Sequence, residues 1–132
     1  VEFDTESQIQ VLSESIAFGG FTDNTDATGY IDFATAIPEG SVVEAVQINV
    51  TTGFTGDTSA SAGVGIAGTL TKFASALNVL SADVVGEKSA IETAYVAAAA
   101  TPRVTITGAA DFTAISAGAA VVSIIYTDAM RV

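Results

Sequence analysis

The chain has no cysteine, no histidine and no tryptophan among its 132 residues. Without cysteine it forms neither a disulfide framework nor a thiolate zinc site, so its stability must come from packing. Without histidine it lacks the usual acid–base residue near neutral pH and every Ser-His or Cys-His nucleophile arrangement. No other catalytic motif is recognisable, and we therefore expect a protein that is not an enzyme.

Basic residues are also scarce, because 15 acidic residues face only four basic ones and the net charge is -11. The four are Lys72, Lys88, Arg103 and Arg131. Binding to nucleic acid or to an anionic membrane surface relies on clustered Lys and Arg, so we expect neither partner. No apolar run approaches the ~18 residues that a membrane-spanning helix needs. The first residues also show no signal-peptide pattern.

Small and apolar residues dominate what is present. Hydrophobic residues make up 49% of the chain and charged residues 14%, and there are 12 glycines. Such a composition is typical of a folded chain, and its length suits one domain with its own core. Its weakly charged surface favours coverage by other copies of the chain or by a partner. The alternative is that the many alanines fill a tightly packed sandwich.

Alternating apolar and polar residues predict β-strands over 28–35, 42–50, 103–107 and 119–127. The last of these is apolar on both faces, which is typical of a central strand. Pro38 and Gly40 suit a turn between the first two strands. These two are therefore expected either to be antiparallel neighbours or to meet at a corner between two sheets.

The remaining segments have less regular patterns. Residues 1–24 are expected to form an N-terminal arm with an edge strand near 8–12, ahead of a single β-sandwich domain over 25–132. Apolar residues at helical spacing predict a short helix or a structured loop within 70–85, and the alanines of 94–100 favour helix. The stretch 51–61 is expected to be an exposed loop. Glycines at 63, 65 and 68 indicate a bulge or the close approach of another backbone.

Paired carboxylates are the one catalytic possibility that survives, since a glycosidase needs only an acid and a base or nucleophile. The candidates are Asp32, Glu39, Glu44, Asp57 and Asp111. Nothing in their spacing selects a pair, and the chain has no tryptophan to serve as a sugar-binding platform. We therefore expect solvated surface carboxylates, no catalytic residue and no cofactor.

The oxygen-rich segment 23–29, DNTDATG, has the composition of a calcium loop but not its spacing. A calcium loop needs ligands at fixed alternate positions and a terminal bidentate Glu, which this segment lacks. A turn stabilised by Asp and Asn side chains is expected instead, and no metal site is predicted.

Three residues are candidates for contacts with another molecule. Glu44 falls on the predicted face of Val46 and Ile48, so it must lie at the sheet rim or meet a cation, and an intermolecular partner is one hypothesis. Phe54 lies in an otherwise polar loop, where it is either an interface anchor or folded back onto its own domain. Phe3 is the lone aromatic residue of the acidic N-terminal arm, which could be ordered against a neighbour.

One arrangement of segments spans residues 30–128. It contains IDFATAIPEGSVVEAVQINVTT, a loop rich in Gly, Thr and Ser, the segment KFASAL, and VTITGAADFTAISAGAAVVSIIYTD. In element order it resembles the small virion structural proteins of tailed bacteriophages known as capsid decoration or cement proteins. It departs from them at KFASAL, where the related sequences are more acidic and turn-like.

This resemblance implies an all-β fold, an antiparallel, jelly-roll-like β-sandwich with at most one short helix. It further implies a homotrimer on the outer capsid surface that binds the major capsid protein and bridges capsid subunits. If acidic groups meet basic patches on the shell, binding should weaken at high salt. The alternative function is a receptor- or carbohydrate-binding module of a phage tail or adhesin. Such a module would need exposed aromatic and polar groups converging in a groove, which the sequence does not display.

Overall fold

β-Strands make up most of the computed structural model, which describes residues 9–88 and 95–128. The strands are β1 Ile9–Ala17, β2 Thr22–Asp23, β3 Thr28–Asp32, β4 Ser41–Thr52, β5 Ala60–Ile66, β6 Thr69–Asn78, β7 Val84–Lys88, β8 Arg103–Gly108 and β9 Ala119–Asp128. The helical elements of these residues are two 3-10 turns, Phe18–Gly20 and Phe112–Ala114. No helix in the described ranges is long and apolar enough to cross a membrane.

The strands form two antiparallel sheets with a shared core. One sheet has the order β1-β9-β4-β7 and the other has the order β2-β3-β8-β5-β6. Apart from the two-residue β2, each sheet has four strands within the described residues, and their order is that of an eight-stranded jelly roll. The predicted antiparallel sandwich is confirmed, and β9 is a central strand as expected.

The core lies between the sheets and consists of inward side chains from both. The central strands contribute residues that are each at most 2% exposed: Val43, Val46, Ile48 and Val50 of β4, Val104 and Ile106 of β8, and Val122 and Ile124 of β9. Val and Ile suit these positions because their branched side chains pack well on a pleated surface. Burial of each contributes about 1.5–3 kcal/mol.

A β-bulge near the start of β4 changes which residues face the core. Between Val43 and Ala45 the chain advances by two residues while its partner β9 advances by one. Glu44 at the bulge is exposed, whereas Val43 and Val46 are buried. The prediction that Glu44 shares the face of Val46 and Ile48 is therefore wrong, because one inserted residue inverts the alternation.

The connection from β3 to β4 is a corner between the two sheets, so the expectation that these strands are neighbours is wrong and the alternative holds. Ile37 is fully buried at this corner, and its amide donates to the carbonyl of Ala100 at 2.8 Å. Gly40 follows with a φ of 85°. This left-handed conformation is one that glycine adopts with little strain.

Strand β6 lies where a helix or a structured loop was expected. Phe73 and Ala74 are adjacent in sequence and both buried, at 2% and 1% exposure. The register of β6 is irregular on both sides of this pair: β6 advances by five residues between Thr69 and Ala74 and by three between Ala74 and Leu77, while its partner β5 moves by two each time. Ala76, in the second irregularity, has a φ of 57°. Apolar residues in this strand therefore lie three and four apart, which imitates helical spacing, and the helix prediction is wrong.

Residues 95–100 are an extended bridging segment and not the helix that their alanines favour; Ala94 lies outside the described residues. The amide of Val96 donates to the carbonyl of Ser41 at 2.8 Å, and its carbonyl accepts from the amide of Gly40 at 2.7 Å. Val96 itself is buried. Because its backbone groups bond to the β3–β4 corner, they do not form helical pairs, and tertiary contacts outweigh the helix propensity of alanine.

Strand β1 is an edge strand, as predicted, and it is longer than the segment 8–12 that the sequence indicates. It pairs with β9 along its full length, from Ile9 opposite Thr127 to Ala17 opposite Ala119. The predicted arm and Phe3 fall in residues 1–8, which lie outside the described residues.

Phe54 is fully buried within its own domain. Gly118 packs against its ring so closely that an ideal Cβ at Gly118 would lie 2.3 Å from Cδ2 of Phe54. The ring of Phe21 meets it edge-on, with centroids 6.0 Å apart. Of the two predicted positions for Phe54, the structure shows the folded-back one, which leaves no exposed surface for a partner.

Replacing Phe54 with Ala should lower the free energy of unfolding by about 3–5 kcal/mol, because it removes a buried ring and leaves a cavity. Urea denaturation followed by circular dichroism measures the loss. Phe18→Ala is the matched control, since Phe18 is 39% exposed and its truncation should cost much less. Equal losses in the two variants would contradict this position for Phe54.

Candidate functional site

Asp32 is part of a polar cluster on the outward side of the five-stranded sheet. Its carboxylate accepts two hydrogen bonds from Arg103, from Nε at 2.7 Å and from Nη2 at 3.1 Å. The guanidinium also lies 3.9 Å from the centroid of the Tyr30 ring. The hydrogen bond with Asp32 raises the pKa of Arg103. These contacts hold Asp32 in a bidentate ion pair, which gives it a structural role.

Asp57 and Asp111 hold the loop that follows β8. Oδ1 of Asp57 accepts from the amide of Thr58 at 2.7 Å, and its Oδ2 accepts from the amide of Ala109 at 2.9 Å. These bonds lower the pKa of Asp57 below its usual value. Oδ1 of Asp111 accepts from the amide of Thr113 and caps the second 3-10 turn. A general acid needs a raised pKa to keep its proton at neutral pH, so the environment of Asp57 opposes that role.

The segment 23–29 forms the turn that its Asp and Asn residues predict. The carboxylate of Asp23 accepts from the amide of Thr25 at 2.8 Å. Asp26 accepts from both the hydroxyl and the amide of Thr28 at 2.7 Å, and these bonds lower its pKa. The carboxylates of this segment therefore stabilise the local backbone. The described residues contain no group of three or more acidic side chains that could hold a metal ion.

Three acidic loops pack together at one end of the sandwich, where β3 begins and β8 ends. The amide of Phe112 donates to the carbonyl of Asp26 at 2.9 Å, and the side chain of Asp57 reaches the loop after β8. We call this region the acidic end; its residues are Asp23, Asp26, Asp57 and Asp111. Glu39 and Glu44 lie towards the opposite end, near the start of β4. The five candidate carboxylates therefore do not converge on one catalytic centre.

A shallow cleft of about 300 Å³ lies on the outward side of the five-stranded sheet. The start of β6 covers β5 so closely that an ideal Cβ at Gly65 would lie 2.2 Å from the carbonyl oxygen of Thr69, which confirms the predicted close approach. The lining is Thr28, Ser61, Gly63, Leu70, Thr71, Ser75, Ala76, Thr105 and Thr107, without an aromatic ring or a charge. The hydroxyl oxygen of Thr105 has no hydrogen-bond partner, but it is covered and offers a ligand no accessible oxygen.

The outward side of the four-stranded sheet carries most of the exposed large hydrophobic residues. Six such residues are exposed in the described chain, and four of them lie on this side: Ile9 at 64%, Val11 at 63%, Val84 at 52% and Tyr95 at 50%. Between these four lie half-buried residues of the central strands, among them Val121 and Ile125 of β9. Ile9, Val11 and Tyr95 lie towards the end of this side where β4 begins, whereas Val84 lies opposite Asn49, towards the other end.

We call this surface the neutral face. It comprises Ile9, Val11, Ser13 and Ser15 of β1, Val121, Ser123, Ile125 and Thr127 of β9, Val42, Glu44, Ala45, Gln47 and Asn49 of β4, Val84 of β7, and Tyr95. The hydroxyls of Ser13 and Ser123 lie 2.9 Å apart in a hydrogen bond across β1 and β9. Two charged residues occupy positions on this side of the sheet: Glu44 at the bulge of β4, and Lys88 of β7, which lies opposite Ala45 in the register.

Glu44 lies near one end of the neutral face. Its Oε2 accepts from the hydroxyl of Thr127 at 3.0 Å. The sequence singled it out because its charge had no evident partner in the predicted strand. Sequence reasoning missed the neutral face itself, although the alternation of Ile9, Val11 and Ser13 in β1 is a visible signal for an outward-facing row.

A chain of the cyanophage Pam1 capsid asymmetric unit has a similar fold, with a TM-score of 0.60 and 22% sequence identity. The match covers 90% of this chain and 84% of that chain, so the two are of similar length. No protein-family model matches the sequence. A search of curated proteins finds no match either. At this level of identity the likeness shows the fold.

Replacing Asp57 with Asn should reduce stability at neutral pH and change its pH dependence. Because the folded pKa lies below the usual 3.8, the ionised carboxylate stabilises the fold above that pH, and the contribution disappears as the pH falls through the lowered pKa. The stabilities of variant and wild type should therefore converge in acid. Urea denaturation across a pH series tests this, with Glu39→Gln as the control. A constant difference at every pH would contradict it.

Replacing Glu44 with Gln should leave the free energy of unfolding within about 0.5 kcal/mol of wild type, since an exposed Gln still accepts from Thr127. If Glu44 contacts another molecule, the assembly of the variant should nevertheless differ from that of the wild type, because the charge is lost. Urea denaturation and sedimentation velocity on the same preparations separate the two effects. Unchanged stability together with unchanged assembly would remove the hypothesis of an intermolecular partner.

Proposed function

We propose that this chain is a non-enzymatic structural protein of a phage virion that binds the outer surface of the capsid and stabilises it by bridging capsid subunits. The observation that carries the proposal is the shared fold with a chain of the cyanophage Pam1 capsid asymmetric unit over nearly the full length of both chains. The element order that resembles capsid decoration proteins supports the same class. The carboxylates support it too, since they are engaged in local structure and do not form a catalytic pair.

The partners in this proposal are the major capsid protein and other copies of the chain, assembled as a homotrimer. A small domain makes only a modest contact with each capsid subunit. Simultaneous binding to several subunits converts the later contacts into intramolecular ones, which raises the total stabilisation without any new type of contact. A rigid sandwich suits this role because its core fixes the positions of the loops that make the contacts.

The acidic end is the surface that we assign to the shell. Asp23, Asp26, Asp57 and Asp111 lie in three packed loops whose backbones are fixed by hydrogen bonds. A chain with a net charge of -11 is attracted to basic patches and repelled by acidic ones, so charge selects the orientation of docking. The N-terminal arm with Phe3 is a second proposed contact.

A receptor- or carbohydrate-binding module is the second candidate, and the cleft over Gly63 is the observation that favours it. Its hydroxyl lining suits neutral polar groups, but it offers neither an aromatic platform nor a charge. A glycan-binding screen with the purified protein distinguishes this candidate, because binding that is lost on replacing Gly63 with Val would place the site in the cleft.

Purified chain should bind shells that lack it and raise the temperature at which they disrupt. Binding should weaken as salt rises, because the acidic end is screened from basic patches on the shell. Co-sedimentation measures binding, and electron microscopy of decorated shells shows whether the density occupies capsid symmetry positions. The double variant Asp23→Asn with Asp111→Asn should bind less tightly, whereas Glu39→Gln, at the opposite end, should bind as wild type does. Absence of binding to such shells at low salt would overturn the proposal.

A further inference from the structure

We propose that copies of this chain associate with one another through the neutral face, so that the occupant of that surface is a second copy of the chain. The inference rests on the proposed function for the expectation of self-association, and it assigns the contact to particular residues. Because both copies use the same face, the contact pairs two chains, where the proposed function names a homotrimer. It leaves the acidic end free for the shell.

Charge is the first argument for this occupant. Two chains that each carry a net charge of -11 repel one another, and the repulsion is strongest where acidic side chains approach. The described carboxylates lie at the acidic end, around the β3–β4 corner and at scattered strand positions such as Glu14 and Asp32, and one of them, Glu44, lies on the neutral face. On the neutral face, the outward positions of β1 and β9 carry Ile, Val, Ser, Thr and Ala and no charge. Identical acidic chains can therefore approach each other most closely on this face.

The edge strand is the second argument. An edge strand that remains exposed is usually protected by Lys, by Pro or by inward-pointing charge. β1 has the sequence IQVLSESIA, with neither Lys nor Pro, and its outward row begins with Ile9 and Val11. Its one charged side chain, Glu14, lies in the inward row with Leu12 and Ile16 and accepts a hydrogen bond from the amide of Ala34, so it is the one such protection of this edge. The outward row has no charge, and its apolar residues Ile9 and Val11 remain open to a neighbouring chain.

The size of the face is the third argument. At about 3.4 Å per residue and about 4.8 Å between strands, nine residues and three strand spacings give a face of roughly 30 Å by 14 Å. A contact between two such faces covers roughly 850 Å², which is at the low end of specific interfaces and corresponds to weak association. Gln47 and Asn49 supply polar groups beside the apolar rows, and such groups give an interface its register. Glu44 lies at the end of the face, where solvent can still reach it.

A charge placed in the face tests the proposal. Val11→Lys is the test variant, and Thr107→Lys is its control, because Thr107 is exposed on the outward side of the other sheet and adds the same charge. Both positions are exposed, so both variants should fold, which circular dichroism and thermal melting verify. Sedimentation velocity of the full chain over a concentration series should show self-association of the wild type and of Thr107→Lys. Val11→Lys should dissociate at least about tenfold more readily, because its ammonium group is buried without a partner.

Salt separates this inference from the proposed function. Self-association through an apolar face should persist or strengthen as salt screens the repulsion between acidic copies, whereas binding to the shell should weaken. A wild type that is monomeric at every concentration, or a Val11→Lys variant that assembles as wild type does, overturns the inference. A Val11→Lys variant that self-associates normally but no longer binds shells also overturns the inference, because the face would then contact the shell. If the wild type self-associates through this face and binds no shell, the inference stands and the proposed function fails.

Discussion

The pairing of β4 with β9 decides most of this structure. These two strands are the centre of the four-stranded sheet, and their inward Val and Ile residues supply the core beneath it. Side chains on a strand alternate between faces, so the register of this one pair fixes both what is buried and what is presented outside. The bulge at Glu44 is the point where that register changes. It buries Val43 together with Val46, and it turns the carboxylate outwards.

Both strands enter their sheet in the same way, from a corner that crosses over from the other sheet. Gly40 precedes β4 and Gly118 precedes β9, and each has a positive φ. In the sequence, residues 37–43 and 115–121 both place an Ile three residues before a Gly, and in the structure the two segments are crossings of the same kind. At the second crossing, Gly118 also rests directly on the buried ring of Phe54. A corner of this type sets where a strand begins, and so contributes to the register of the pair.

The family resemblance implied the sandwich, and period-two patterns predicted strand β8 and the central position of β9, because in those segments each residue advances the strand by one step. They failed where the backbone inserts a residue. At Glu44 the strand was predicted but the face was not, and at Phe73 and Ala74 even the element type was mistaken. The helix prediction for residues 95–100 failed for a different reason, because their backbone hydrogen bonds are made with residues distant in sequence. Whether Phe54 is buried or exposed depends on how its loop packs, and the sequence left both possibilities open.

The arrangement of charge follows from the same constraint as the fold. Carboxylates on the outward rows of a central sheet would crowd like charges directly opposite one another across the strands, which destabilises the pairing. In turns and loops, Asp instead accepts bonds from backbone amides, as Asp26 and Asp57 do. The four carboxylates of the acidic end all accept bonds from backbone amides in this way, whereas the outward rows of β1 and β9 carry no charge. The distribution of acid over this small domain therefore follows where its backbone amides lack strand partners.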